Sequence, residues 1–130
     1  MKIVTAAIVE RAGRYLVTRR ASGQSLSGFW EFPGGKLQPE ETLQQCLQRE
    51  LFEELGVTSR VGKLLVESHF KYDHGEILLK ALEAELLEQE LTLSVHDEVR
   101  WLPADEILNL QLAPADIPIA QFLNGHKNGL

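Results

Sequence analysis

Cysteine is nearly absent from this 130-residue chain: Cys46 stands alone, so neither an internal disulfide nor a cysteine-built metal cage is available. Its place beside the leucines of a helical repeat makes it a small core residue rather than a nucleophile. No apolar run approaches the ~20 residues that a membrane-crossing helix requires. No leader segment is visible, because Met1-Lys2 runs straight into an alternating strand pattern, and the expected compartment is the cytoplasm. The four histidines (His69, His74, His96 and His126) are scattered, with no pair at the i, i+4 spacing of a zinc-binding helix. Positive charge is also short, since 13 Lys and Arg face 19 Asp and Glu for a net charge of −6. That balance excludes bulk DNA or RNA as the partner, because such binding rests on neutralising phosphates with Lys and Arg. It admits a small phosphorylated ligand carried as its metal complex, because a bound cation inverts the local field.

What is present is an ordinary globular composition, 44% hydrophobic and 25% charged. One domain is expected over residues 1–130, large enough to bury a core without staples, with residues 124–130 as a frayed tail. Residues 3–9 and 15–18 read as strands around a turn at 10–14. The Gly/Ser-rich stretch 21–34 carries Phe29, Trp30 and Phe32 and reads as a loop with one short strand. Residues 61–72 and 76–87 read as a long hairpin with Asp73, His74 and Gly75 at its tip, and 99–102 as another short strand. Short helices are expected to open at 103–106 and to run over 117–123. Mixed strands with a few helices around one core follow.

The chemistry is concentrated between Gly35 and Val57. Leu43, Leu47, Leu51 and Leu55 recur every four residues and predict a helix over roughly 42–55. Pro39 with the acidic pair Glu40-Glu41 suits a helix start, Thr42 is an alternative cap, and Gly56 is placed to end the helix in the left-handed region. Glu50, Glu53 and Glu54 stand at i, i+3 and i+4, so they project from neighbouring points of one face. Like charges at that spacing weaken a helix by a few tenths of a kcal/mol per pair. A hard divalent cation such as Mg²⁺, which takes oxygen ligands and shares them with substrate phosphates, is the counter-charge that fits. Arg49, four residues before Glu53, is placed to pair with that carboxylate. Gly34-Gly35 lie just before the helix, where absent side chains let backbone approach a cation.

Gly35, five residues, Glu41, seven residues and then Arg49-Glu50-Leu51-Phe52-Glu53-Glu54-Leu55-Gly56-Val57 resemble the Nudix box at every defining position. Arg19-Arg20-Ala21 and the run from Gly28 to Lys36 resemble the MutT-like members of that family. The run from Leu112 to Pro118 is similar to their CTP pyrophosphohydrolase branch, and most of residues 3–123 follow the pattern. The resemblance implies an α/β (α+β) fold, a mixed β-sheet packed between helices in an α/β/α sandwich. It implies hydrolysis of a nucleoside triphosphate by attack of water on the inner phosphorus, giving the monophosphate and pyrophosphate. Mg²⁺, with Mn²⁺ as a substitute, is the implied cofactor, and cleansing of the nucleotide pool is the implied role.

Carried over residue by residue, the resemblance makes the Gly35 carbonyl, Glu50, Glu53 and Glu54 cation ligands. Glu53 becomes the general base, with Arg49 orienting Glu53 or Glu41. Lys36 and Arg20 are assigned to the substrate. The loop 94–98 departs from the pattern, because Val95 stands where related sequences often place a further glutamate; Asp97 or Glu98 is then its substitute or a plain loop carboxylate. Phe32 is the expected wall for the base. Asp116 holds the place of an asparagine that reads oxidised guanine, which favours cytidine nucleotides or oxidised forms; it also suits a helix cap before Ile117. His74 either borders the nucleotide or is a solvated turn residue. Rival readings on the same fold are a hydrolase of ADP-ribose, dinucleoside polyphosphates or RNA 5′ ends, and a silent nucleotide-sensing module. The expected state is a monomer or homodimer with a small-molecule nucleotide substrate and neither bulk nucleic acid nor membrane as partner.

Overall fold

The computed structural model describes residues 1–125. In chain order the elements are β1 (Lys2–Ile8), β2 (Glu10–Arg11), β3 (Arg14–Arg20), β4 (Trp30–Glu31), α1 (Leu43–Leu55), β5 (Ser59–Tyr72), β6 (Gly75–Leu86), β7 (His96–Leu102), α2 (Ala104–Ile107), a 3₁₀ turn at Pro114–Asp116 and α3 (Ile117–Gly125). β1 runs parallel to β6 from Lys2↔Ile77 to Ile8↔Glu83, and β5 runs antiparallel to β6. A second, antiparallel sheet places β3 between β4 and β7, with β2 turning back onto β3.

Strand alternation explains the layering. Ala6 and Ile8 of β1 enter one core with Val17, Leu79, Ala81, Ile107, Ile119 and Leu123. Ala7 and Val9 enter the other, with Leu16, Leu82 and the α1 leucines Leu47, Leu51 and Leu55. Helices therefore cover both faces of the strands: α1 on one side, α2 and α3 on the other. This mixed α+β arrangement is the architecture expected from the sequence.

α1 starts one residue inside the expected range. The Thr42 hydroxyl accepts from Gln45 N while the Gln45 side chain accepts from Thr42 N, a reciprocal capping box. Glu40 adopts a positive φ of 69°, so the chain bends before the helix and the Glu40-Glu41 pair stays outside it. Gly56, at φ 68°, closes the helix through its N–H to Phe52 O. Three fully buried leucines, each worth about 1.5–3 kcal/mol, outweigh the few tenths lost to glutamate repulsion.

Other boundaries shift by a few residues. Tyr72 pairs with Gly75, which leaves Asp73 and His74 alone at the hairpin tip. β7 begins at His96, three residues before the expected 99. α3 includes Asn124 and Gly125, which the expected tail placed outside the helix; residues 126–130 lie outside the described residues. Among the described residues no helix is long and apolar enough to cross a membrane.

Candidate active site

The loop before α1 is fastened to β1. Gly35 O accepts from Thr5 N at 2.7 Å and Thr5 Oγ1 at 3.1 Å, and Ala7 N donates to Pro33 O at 2.7 Å. A Cβ on Gly34 would lie 2.0 Å from Thr5 O, so only glycine lets these backbones approach so closely. At Gly35 the obstacle is different: a Cβ would lie 2.2 Å from Glu50 Cδ. The Gly35 carbonyl, expected at a cation, is engaged by β1 in this structure. What Gly35 visibly supplies is the room in which the Glu50 carboxylate sits.

Arg49 is the hub of the acidic helix face. Its Nε and Nη2 reach Glu41 at 2.7 and 3.0 Å, its Nη1 reaches Glu50 at 2.7 Å and Glu53 at 3.1 Å, and Nη2 also donates to Lys36 O at 3.1 Å. A planar guanidinium with five donors suits this many-sided role. Its bonds hold the Glu41 carboxyl down at about 2, helped by the Gln38 N–H. Glu53 extends furthest into solvent, its side chain 55% exposed against 14% for Glu50.

Glu54 points the other way, into the protein. It is buried, and its Oε1 has no hydrogen-bond partner. Burial first, then the neighbouring Glu31 and Glu50 charges, push its carboxyl up to about 9. Glu31 and His96 complete a group with Glu54 in which one ligand atom from each lies within 4.8 Å of the others. Glu31 Oε2 accepts from His96 Nε2 at 2.8 Å and from Arg20 Nη1 at 3.1 Å.

Sheet pairing brings these residues together. Thr18 faces Glu31 across β3 and β4, on the side of the sheet that carries α1, whereas Arg19 and Trp30 take the opposite side. β7 continues that alternation until a bulge: Arg19 pairs with Glu98 and Arg20 with His96, which leaves Asp97 unpaired. The bulge turns His96 inward, where its side chain is fully buried. Asp97 and Glu98, the candidate loop carboxylates, pair with Arg19 at 2.8 and 3.3 Å in this structure, and Glu98 also receives Arg100 at 2.7 Å. Glu31 and His96 escaped the sequence reading because neither lies on the acidic helix.

The residues assigned to substrate share one cleft. Arg20, Phe32, Lys36, His74 and Asp116 all line a cavity of about 280 Å³, together with Glu31 and Tyr72. Phe32 is buried and anchored in the core, and its N–H donates to Asp116 Oδ2 at 2.9 Å. Asp116 thus reaches across to the β4 strand and does not cap the following helix. Burial above all, then the Glu31 charge, raises its carboxyl well above the ordinary range. His74 stacks on the Tyr72 ring with centroids 5.5 Å apart. A larger cavity of about 530 Å³ lies between α3 and the β5/β6 hairpin, lined by Phe122, Leu123 and Leu65, with none of the box carboxylates.

Known proteins resemble this chain in sequence and fold. The NUDIX domain pattern matches residues 1–123. The chain is 40% identical to the CTP pyrophosphohydrolase of Escherichia coli K12, over 91% of this chain and 87% of the relative. It is also 40% identical to the 8-oxo-dGTP diphosphatase of Proteus vulgaris, over a shorter stretch covering 44% of this chain and 51% of that one. The solution structure of the E. coli ORF135 protein superposes with a TM-score of 0.84 at 34% identity, covering 99% of this chain and 92% of the other. With the box, the layered fold and the acidic helix face in place, the chain belongs to the Nudix hydrolase family.

Proposed function

We propose that this enzyme hydrolyses a nucleoside triphosphate to the monophosphate and pyrophosphate, using Mg²⁺ or Mn²⁺. The observation that carries the reading is the junction at Glu31: it lines the nucleotide-sized cleft and also stands within 4.8 Å of Glu54 beside the acidic helix. The donor set fits a hard cation, since Glu54 Oε1 is buried without a partner and Glu50 occupies a space kept open by Gly35. Glu50, Glu53 and Glu54 would hold the ion. When bound, it lowers the pKa of water and neutralises charge on phosphoryl oxygens.

The protein groups then divide the work. Glu53, solvent-facing and steadied by Arg49, takes the proton from the attacking water. Arg49 keeps Glu50 and Glu53 from splaying apart under their mutual repulsion. Lys36, at the rim of the cleft, meets a phosphate as a point charge, and Arg20 adds positive charge while holding Glu31. Phosphoryl transfer needs mainly this positioning and neutralisation.

At the base end, burial favours the uncharged form of Asp116, whose Oδ2 accepts from Phe32 N–H. With a proton on its other oxygen, the group would offer a donor beside an acceptor. Cytosine presents the complementary ring nitrogen and exocyclic amine, and oxidised guanine likewise sets donors beside acceptors. Cytidine and oxidised guanine nucleotides are the substrates put forward. The test is a panel of normal and oxidised ribo- and deoxynucleoside triphosphates with ADP-ribose and dinucleoside polyphosphates, ranked by kcat/KM. Cytidine or oxidised guanine triphosphates should lead; ADP-ribose or a dinucleoside polyphosphate at the head of the ranking would refute the reading.

A further inference from the structure

Two carboxyl groups, Glu31 and Glu54, each place one oxygen within 4.8 Å of the other. Glu54 is buried with an unpartnered oxygen, and the Glu31 side chain is 16% exposed. Without a cation between them, two carboxylates so placed do not both keep their charge, and burial and Glu31 push Glu54 toward its neutral form. Glu31 is prevented from turning because its Oε2 is gripped twice, by Arg20 Nη1 at 3.1 Å and by His96 Nε2 at 2.8 Å. The two grips differ. Arg20 comes from β3 at the cleft side and also bonds Ser25 O and Gln24, so it is shared with the loop. His96 is fully buried, bonds Glu31 alone, and owes its direction to the β7 bulge. A carboxylate only accepts, so the Nε2 nitrogen carries the proton of this bond.

We propose that His96 is a positioning residue that pins Glu31 beside Glu54, so that the two carboxylates receive one divalent cation between them. The inference rests on the metal-dependent reading given above and adds Glu31 to the ligand set. Both hydrogen bonds to the Glu31 carboxylate end on Oε2, which leaves Oε1 without a donor among the described residues and able to serve as a ligand. Hydrogen bonds of this outer kind fix a ligating carboxylate and commonly matter as much as the ligand itself.

The test is Mn²⁺ binding to the intact protein without nucleotide, followed by the electron paramagnetic resonance signal of the free ion, with a thermal melt on each variant. His96→Leu fills the same space without a donor and should weaken Mn²⁺ by about 10–100-fold, while His96→Gln, whose amide N–H reaches the place of Nε2, should return it to within about 3-fold of wild type. Glu31→Gln should match His96→Leu, and the double variant should be no weaker than Glu31→Gln alone, because both remove one interaction. Wild-type affinity in a folded His96→Leu protein would overturn the proposal, as would losses that multiply in the double variant. If His96→Leu does not fold, His96→Gln and Glu31→Gln decide: the first must stay within about 3-fold of wild type and the second must weaken Mn²⁺ by about 10–100-fold. Glu50→Gln separates this inference from the reading beneath it. Loss of Mn²⁺ there with none at His96 overturns only the positioning role, whereas no loss at either position overturns the metal site.

Discussion

Adding one methyl group at Gly35 should disable the enzyme and leave it folded, whereas the same change at Gly34 should destabilise the fold itself. At Gly35 the new Cβ would lie 2.2 Å from Glu50 Cδ, 2.3 Å from Oε1 and 2.6 Å from Oε2. Ordinary contact begins near 3.4 Å, so the carboxylate must retreat by about 1.2 Å. A side-chain end makes that move cheaply, and Gly35 is not among the residues with positive φ, so alanine fits the backbone. The cost in stability is at most the partly exposed Arg49–Glu50 pair, about 1 kcal/mol or less. The cost in activity is larger, because misplacing a catalytic group by about 1 Å lowers the rate by roughly 10²-fold. At Gly34 the Cβ would meet Thr5 O at 2.0 Å and Thr5 C at 2.7 Å, and backbone cannot step aside. Parting the loop from β1 breaks the Thr5–Gly35 and Ala7–Pro33 hydrogen bonds, worth about 2–4 kcal/mol together once their burial is counted. The assay is kcat/KM for pyrophosphate release beside urea unfolding of both variants. Gly35→Ala with activity within about 3-fold of wild type would refute the steric account of Glu50, since 1 Å should cost far more.

Two further outcomes follow from titration. Glu41 is held at about 2 in the folded protein against an ordinary 4.5, so its pairing with Arg49 stabilises the fold above about pH 4.5 and is lost as pH falls through 2. The stability gap between wild type and Glu41→Gln should therefore close across that window in urea titrations; a gap constant from pH 7 to 2 would contradict the pairing. Asp116 is shifted the opposite way, so keeping it neutral costs folding energy increasingly as pH rises above its ordinary 3.8. Asp116→Asn, which keeps an acceptor for Phe32 N–H, should gain stability over wild type between pH 4 and pH 7, with equal pH profiles as the refuting result. Asp116→Leu should level the nucleotide ranking, cutting the best kcat/KM by about 10-fold or more as Phe32 N–H loses its acceptor.

The parts of this enzyme that were legible in its sequence are those written in neighbouring residues. α1 is specified by a four-residue leucine period, a Thr42 cap and a Gly56 stop, all of which act within a turn or two. The neighbourhood of Glu50, Glu53 and Glu54 is legible for the same reason, although Glu54 turns inward while Glu53 faces solvent. The two faces of β1 were equally readable, because alternation sends Ala6 and Ala7 to different cores. What lay hidden depends on pairing between distant strands. Glu31 meets His96 across 65 positions, and Asp116 meets Phe32 across 84. The bulge after Arg19 has no local marker: simple alternation from Val99 would have turned Asp97 inward, and one extra residue gave that place to His96. Residue type made Asp97 and Glu98 candidates, and the register of β7 sets them beside Arg19.

The central claim is that the acidic helix hydrolyses a nucleoside triphosphate with Glu53 as the base. It is tested most directly by ³¹P NMR of CTP turnover in Mg²⁺ by the wild type and by Glu53→Gln. The Glu53 side chain is exposed and its carboxylate makes one bond, to Arg49, so the variant should fold and melt as the wild type does. Wild type should yield cytidine monophosphate and pyrophosphate, and the variant should be slower by about 10²-fold or more, the usual worth of a positioned base. Diphosphate with orthophosphate as products, or pyrophosphate release by Glu53→Gln near the wild-type rate, would contradict it.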